Sequence, residues 1–176
     1  MFKSISYLKL GNEVQRHAFH VIQQLNIIQD FASYTPLLCG TIPLAIDVEG
    51  SDLDIIMEVH NFEHYKDEVQ SRYGKLNGFT LNELIVQEIP TVLCNFTFEN
   101  MDFELFSQPI PVVKQNAYRH MIIEHHLLMT LPHIRDEIIH LKKQGLKTEP
   151  AFAKVLGLTG DPYEELLMIG SRFDLI

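Results

Sequence analysis

The sequence holds only two cysteines, no run of basic residues, and no apolar stretch near the ~20 residues that a membrane-spanning helix requires. Cys39 and Cys94 lie inside apolar, strand-like runs, where a free thiol behaves as a small hydrophobe. They are read as buried thiols and not as a disulfide. The stretch MFKSISYLKLGNEVQRHAF has no apolar segment long enough for a secretory signal, so a reducing cytoplasm is the expected compartment. Lysine and arginine number 14 against 23 aspartates and glutamates, a formal net charge of -9. The long-range field repels nucleic-acid backbones and makes nucleic acid a disfavoured partner, whereas a small polyanion carried in with a cation is compatible with it. Neither His-Glu-x-x-His nor Cys-x-x-Cys occurs to suggest zinc, and Gly-x-Ser-x-Gly is absent, so nothing suggests a serine hydrolase. There is no internal repeat and no low-complexity tract.

What is present, 46% hydrophobic and 21% charged residues, suffices for one sizeable core. Asn12, with Gln15 three residues on, forms a capping box, and Val14, Ala18, Val21, Ile22, Leu25 and Ile28 follow at helical spacing. The helix is predicted to end near Phe31. Residues 36 to 39 and 53 to 59 read as strands of one sheet. Asn61 caps a helix over 62 to 73, closed by Gly74, and 79 to 88, 91 to 98 and 101 to 107 read as strands. Pro90 is expected to separate the first two of these, because proline gives no ladder hydrogen bond, and a turn at Glu99-Asn100-Met101 the last two. From Pro111 the pattern is helical near 113 to 130, 132 to 143, 149 to 157 and 162 to 170, punctuated by Pro132, Gly145, Thr148 and an Asp161–Glu164 capping box. The expected class is α+β, with a mixed sheet of about five strands and flanking helices in residues 1 to 110. A helical region, residues 111 to 176, is expected to pack on it.

The chemistry gathers in CGTIPLAIDVEGSDLDIIMEV, residues 39 to 59. Asp52 and Asp54 alternate with Leu53 and Ile55, so both carboxylates project from one side of a strand, about 6.5 to 7 Å apart. Such a pair repels itself unless cations or protons offset it, and it suits Mg2+, which needs only one or two protein carboxylates beside waters and phosphates. Asp102 and Glu104 form a second alternating pair. If the two strands are neighbours, a third carboxylate joins the site, and two ions roughly 3.5 to 4 Å apart can clamp a phosphoryl transfer. Gly40 allows close approach of a phosphate, to which the hydroxyl and amide of Thr41 can donate. Asp47 and Glu49 read as a solvated loop, since an EF-hand needs glycine at its sixth position and Gly50 is fourth from Asp47.

A glycine and a small hydroxyl residue at a strand end, a spacer over 42 to 51, Asp-Leu-Asp on the next strand and a later strand carboxylate resemble the nucleotidyltransferase superfamily of DNA polymerase beta type. More narrowly, FELFSQPIPVVKQNAYRHMIIEHHLL and LKKQGLKTEPAFAKVLGLTGDPYEELL resemble an uncharacterised bacterial family, a domain of unknown function with a minimal nucleotidyltransferase-like fold. The resemblance implies Asp52 and Asp54 as ligands of Mg2+ or Mn2+, with Glu104 or its competitor Asp102 as the third, and Gly40, Thr41 and Ser51 at the nucleotide. It implies transfer of a nucleoside monophosphate from a nucleoside triphosphate to a small-molecule or protein acceptor, with the third-strand carboxylate also able to act as general base.

Many active members carry a basic residue just after the glycine turn, whereas residues 42 to 51 contain none. The alternative is therefore a catalytically inactive member that binds a nucleotide or a protein partner, for instance through its C-terminal helices. Arg119 and Lys147 are the preferred replacements for the missing base, while Lys142 and Lys143, before Gly145, read as partners of a helix dipole. Asn116, His120 and Glu124 recur every four residues along one helix stripe. His120, oriented by Glu124, is read either as a contact to base or phosphate or as part of a polar face packed on the sheet. Phe96, Phe98, Phe103 and Phe106 read as core packing and not as a base-stacking platform.

Overall fold

A computed structural model describes residues 2–176 of the protein. The capping box forms as the sequence predicts: Asn12 Oδ1 accepts from the amide of Gln15 at 2.8 Å, and Gln15 Oε1 accepts from the amide of Asn12 at 3.1 Å. It opens α1 (Glu13–Leu25). The helix does not run on to Phe31. It breaks at Asn26, which is left-handed at φ 55°, a conformation asparagine tolerates, before the short α2 (Ile27–Asp30). Then follow β1 (Leu37–Cys39), β2 (Leu53–Glu58), α3 (Phe62–Tyr73), β3 (Asn77–Val86), β4 (Ile89–Phe98) and β5 (Met101–Gln108).

Pro90 does not separate β3 from β4; it lies within β4, opposite Ile85 of β3. The turn is Gln87-Glu88, both at positive φ, as a two-residue hairpin loop demands. Proline is tolerated there because the β4–β5 ladder begins only at Val92, so no strand on that side needs its missing N–H. Glu99-Asn100 makes the second hairpin turn in the same way.

The C-terminal third comprises α4 (Asn116–Thr130), α5 (Arg135–Lys143), α6 (Thr148–Leu156) and α7 (Pro162–Arg172). Single 3-10 turns at Val112–Lys114 and Pro132–Ile134 replace the first residues expected to be helical. Asp161 accepts from the amides of Tyr163 and Glu164, a cap without the reciprocal bond of a full box.

The five strands form one mixed sheet in the order β1-β2-β5-β4-β3, with β2 and β5 parallel and the other pairs antiparallel. Both faces are covered. Leu53, Ile55, Met57, Phe103 and Leu105 pack against Val21 and Ile22 of α1 and Tyr65 and Val69 of α3. On the other face Leu37, Cys39 and Ile56 pack with Met121 and Leu127 of α4, Phe152 of α6 and Leu166 of α7. Phe96 and Phe103 stack at 5.0 Å within the first core, so these rings are core packing. Among the described residues no helix is long and apolar enough to cross a membrane.

Between β1 and β2 the chain makes an irregular loop whose carbonyls are bound from outside it. Gln15 Nε2 donates to Ile42 O at 2.8 Å, Arg135 Nη1 to Leu44 O at 2.5 Å, and Lys142 Nζ to Ile46 O at 2.9 Å. Gln15 is buried, so Gln15→Ala loses the side-chain half of the capping box and one of the two donors to Ile42 O, which keeps the amide of Ala45, an expected loss of about 1 to 2 kcal/mol. Urea unfolding should show a lower midpoint at unchanged slope; an unaltered midpoint would mean that Arg135 and Lys142 hold the loop without it.

Candidate functional site

The strand registers assemble a polar row across the sheet. Cys39 of β1 stands opposite Asp54 of β2, and Asp54 stands beside Glu104 of the parallel β5. Because side chains alternate, Asp54 and Glu104 share the face that α4 to α7 cover, while Leu53 and Phe103 enter the opposite core. Asp52, Asp54 and Glu104 line one cavity of about 660 Å³ together with Gly40, Thr41, Ser51, His120, Glu124, Lys142, Lys147 and Glu149. Asp102 does not line it. It accepts a hydrogen bond from Thr97 at 2.6 Å and, with Asp52, lines a separate shallow recess at the strand end.

Gly40 follows β1 at φ +81°, and a Cβ there would lie 2.0 Å from Oδ2 of Asp54. The backbone turn is thus pressed against the carboxylate, a contact only glycine permits. The hydroxyl of Ser51 accepts from the amide of Val48 at 2.9 Å and lies 3.4 Å from Oγ1 of Thr41, which ties the two ends of the loop beside the acids.

Charge is unbalanced here. Burial, then the neighbouring Asp52, Glu104 and Glu149, push Asp54 up to about 8, with Lys142 pulling it back. Burial and Asp52 likewise raise Glu104, against Lys147. Glu124 is buried, with no hydrogen-bond partner for its Oε1, and burial followed by Glu149 pushes it up to about 8. Glu149 behaves differently: burial raises it, but hydrogen bonds from His120 and its own amide, with Lys147 nearby, hold it below the usual range. His120 Nδ1 lies 3.4 Å from Glu149 Oε1, and its Nε2 lies 3.2 Å from the carbonyl of Tyr163.

Asn116, His120 and Glu124 all face this cavity, as their spacing suggested. Two expectations about the cations are corrected. Arg119 is not beside the acids; its guanidinium donates to Asn116 at 3.1 Å and lines a different recess with Glu164 and Met168. Lys142, expected only as a partner of the helix dipole, does lie in the last turn of α5, but its ammonium donates to the loop carbonyl of Ile46. It is buried, burial lowers its pKa against the pull of Glu124, Asp47, Glu149 and Asp54, and its ammonium reaches the cavity. The signal was present: Lys142 lies four residues after Ile138 and eight after Ile134, on the stripe α5 buries. Glu149 was missed because it comes from α6, an element no local pattern links to β2.

The donor set is carboxylate oxygen alone, which in hardness suits a small divalent cation. It is a gathering of acids and not a closed cage: among the described residues no three His, Cys, Asp or Glu side chains already stand at metal-binding geometry.

Two outcomes follow. Glu124 ionises at its ordinary 4.5 when unfolded and at about 8 when folded, so its contribution to stability is complete below 4.5 and lost as the pH climbs to about 8. Glu124→Gln, which mimics the protonated acid, should flatten the fall in melting temperature across that window; an identical slope would refute the shift. Gly40→Ala must move the Asp54 carboxylate and accept a left-handed backbone, so a loss of at least about 1 to 2 kcal/mol is expected in denaturant titration.

Among solved structures, the chain resembles one from a GLD-2/RNP-8 complex with a TM-score of 0.57 at 14% identity, over 83% of this chain and 57% of that one. It resembles Cid1 poly(U) polymerase bound to Mg 3'-dATP at 0.55 and 11%, over 90% and 49%, and the polymerase core of TRAMP, an RNA surveillance complex, at 0.52 and 12%, over 92% and 50%. The fold is nucleotidyltransferase-like, and the chain spans about half the length of these structures. The charge-based expectation against nucleic acid finds no support in such neighbours, whose names include a poly(U) polymerase and an RNA surveillance complex. No curated protein matches the sequence. The family model described as Domain of unknown function (DUF4269) matches residues 20–169, and the chain belongs to that family.

Proposed function

We propose that the protein is a metal-dependent nucleotidyltransferase that moves a nucleoside monophosphate from a nucleoside triphosphate to an acceptor hydroxyl. The observation that carries this reading is the register placing Asp54 beside Glu104 with the Gly40 turn against Asp54. Asp52, Asp54 and Glu104 are assigned to Mg2+ or Mn2+, and Asp102, which lies outside the cavity, is not. The bound cation would neutralise phosphate oxygens and acidify the acceptor hydroxyl.

The chain's own groups do the rest. The Gly40-Thr41 turn is assigned to the phosphates, where a glycine backbone can come close. Lys142 and Lys147 bring to the cavity the positive charge that the loop between β1 and β2 lacks. This favours the transferase over an inactive fold, since the missing loop base was the ground for the latter. Glu104, raised by burial and Asp52, is suited to take the acceptor's proton. The acceptor oxygen bonds to the α-phosphorus as the bond to pyrophosphate breaks, and the proton passes to Glu104.

Calorimetric titration of each nucleoside triphosphate with Mn2+ should show metal-dependent binding in the wild type and in Asp102→Asn, and none in Asp52→Asn with Asp54→Asn. In a transfer assay Glu104→Gln should lose roughly 10² to 10³ in turnover, the scale of removing one group that acts on the transition state. Binding that is absent from the wild type, or indifferent to the double change, would overturn the reading.

A further inference from the structure

On the β5 side of the acidic row the cavity opens into a side pocket of about 200 Å³, to which Asp54 and Glu104 also contribute. One side of it is apolar, with Ile56 and Phe106 from the sheet, Val86 and Ile89 flanking the β3–β4 turn and Ile110 ahead of α4, while Gln87, Gln108 and Asn116 add polar groups beside the two acids. Asn116, the first residue of α4, donates to Gln87 of that turn at 2.7 Å and fastens the hairpin to the helix. Lys114 is exposed at the rim, with no acidic partner among the described residues.

The position of this pocket relative to the phosphate turn gives it a role, given the transferase reading above. Gly40-Thr41 lies at the β1 edge of Asp54, so the leaving pyrophosphate belongs on that side. In phosphoryl transfer the attacking and leaving oxygens lie roughly in line. The nucleophile must then come from the opposite side of the row, across β5 toward β4 and β3, where this pocket is. Its size limits what can enter. An apolar cavity of ~150 Å³ admits benzene, so one of this volume takes about a single ring with short substituents. An oligonucleotide end would instead call for a basic track along its phosphates, and the pocket offers Lys114 alone.

We propose that this pocket binds the acceptor, and that the acceptor is a small hydroxyl compound with an apolar body of roughly one ring. Its hydroxyl faces Glu104, and its body rests between Phe106 and the β3–β4 hairpin.

Benzyl alcohol is a suitable probe, read through the methyl NMR signals of Ile56, Val86, Ile89 and Ile110 without nucleotide or metal. Saturable shifts confined to these methyls are expected in the wild type and not in Ile89→Trp, which fills the pocket. Ile89 does not line the larger cavity, so metal-dependent triphosphate binding by Ile89→Trp should match the wild type, which also shows that the variant is folded. The proposal is overturned if the probe leaves these methyls unmoved, or if the wild type extends an RNA oligomer and Ile89→Trp extends it equally well. Because the shifts need neither metal nor nucleotide, the two failures are distinguishable: absence of metal-dependent triphosphate binding sinks the transferase reading and with it the acceptor role, while unmoved methyls sink the pocket alone.

Discussion

The arrangement turns on Asp54, a largely buried carboxylate held between two others and pressed from behind by the backbone at Gly40. Left alone, such a group relieves itself by taking a proton, as its rise to about 8 expresses. What keeps it in place is the sheet around it. In β2, Leu53, Ile55, Ile56 and Met57 are buried, divided between cores on the two faces, so the strand cannot slip by one residue without turning its apolar set out of its core. Hydrophobic burial along the strand thus holds an electrostatically unfavourable side chain at a fixed point, and the parallel register with β5 adds Glu104 at its side.

The same logic extends to the helices above the sheet. Lys142 donates to the loop carbonyl of Ile46 and lies within the fields of Asp54, Glu124, Glu149 and Asp47. Its burial lowers its pKa while these acids raise it, so one ammonium couples the loop after β1 to α4 and α6. His120 and Glu149 form a second link between the same helices. Removing any one of these groups would leave a buried partner uncompensated, which is why they are better regarded as one network than as separate pairs.

Local rules made the elements and the Asp-x-Asp pair legible, because alternation along a strand and caps at helix ends depend on near neighbours. Asn12, Asn61 and Asp161 all cap as their positions suggest. The choice between Asp102 and Glu104 was not legible, since both sit on one face of β5 and only the pairing register of a distant strand brings Glu104 level with Asp54. Lys142 was misread because proximity to a helix end is a local cue, whereas its burial against Ile46 joins residues 96 apart in sequence. Arg119 failed in the opposite sense: one position before His120 on α4, it turns toward α7 and away from the acids. Pro90 marked a break in sequence terms, but the short β4–β5 ladder left its missing donor without consequence.

Charge within the cavity bears on how a nucleotide could enter. Asp52, Asp54, Glu104, Glu124 and Glu149 face Lys142 and Lys147, with His120 between. A triphosphate brought in alone would meet this excess of negative charge where water is partly excluded and the repulsion is poorly screened. Protons offset some of it in the free protein, on Asp54 and Glu124. On the proposed reading, cation and nucleotide bind together or not at all, each lowering the repulsion that opposes the other, with Asp54 giving up its proton as the cation arrives. The coupling is reciprocal, so the nucleotide should raise affinity for the cation by the factor that the cation raises affinity for the nucleotide. An acidic protein can hold a polyanionic substrate on these terms, because the carboxylates that repel the triphosphate are the same groups that recruit its counter-charge.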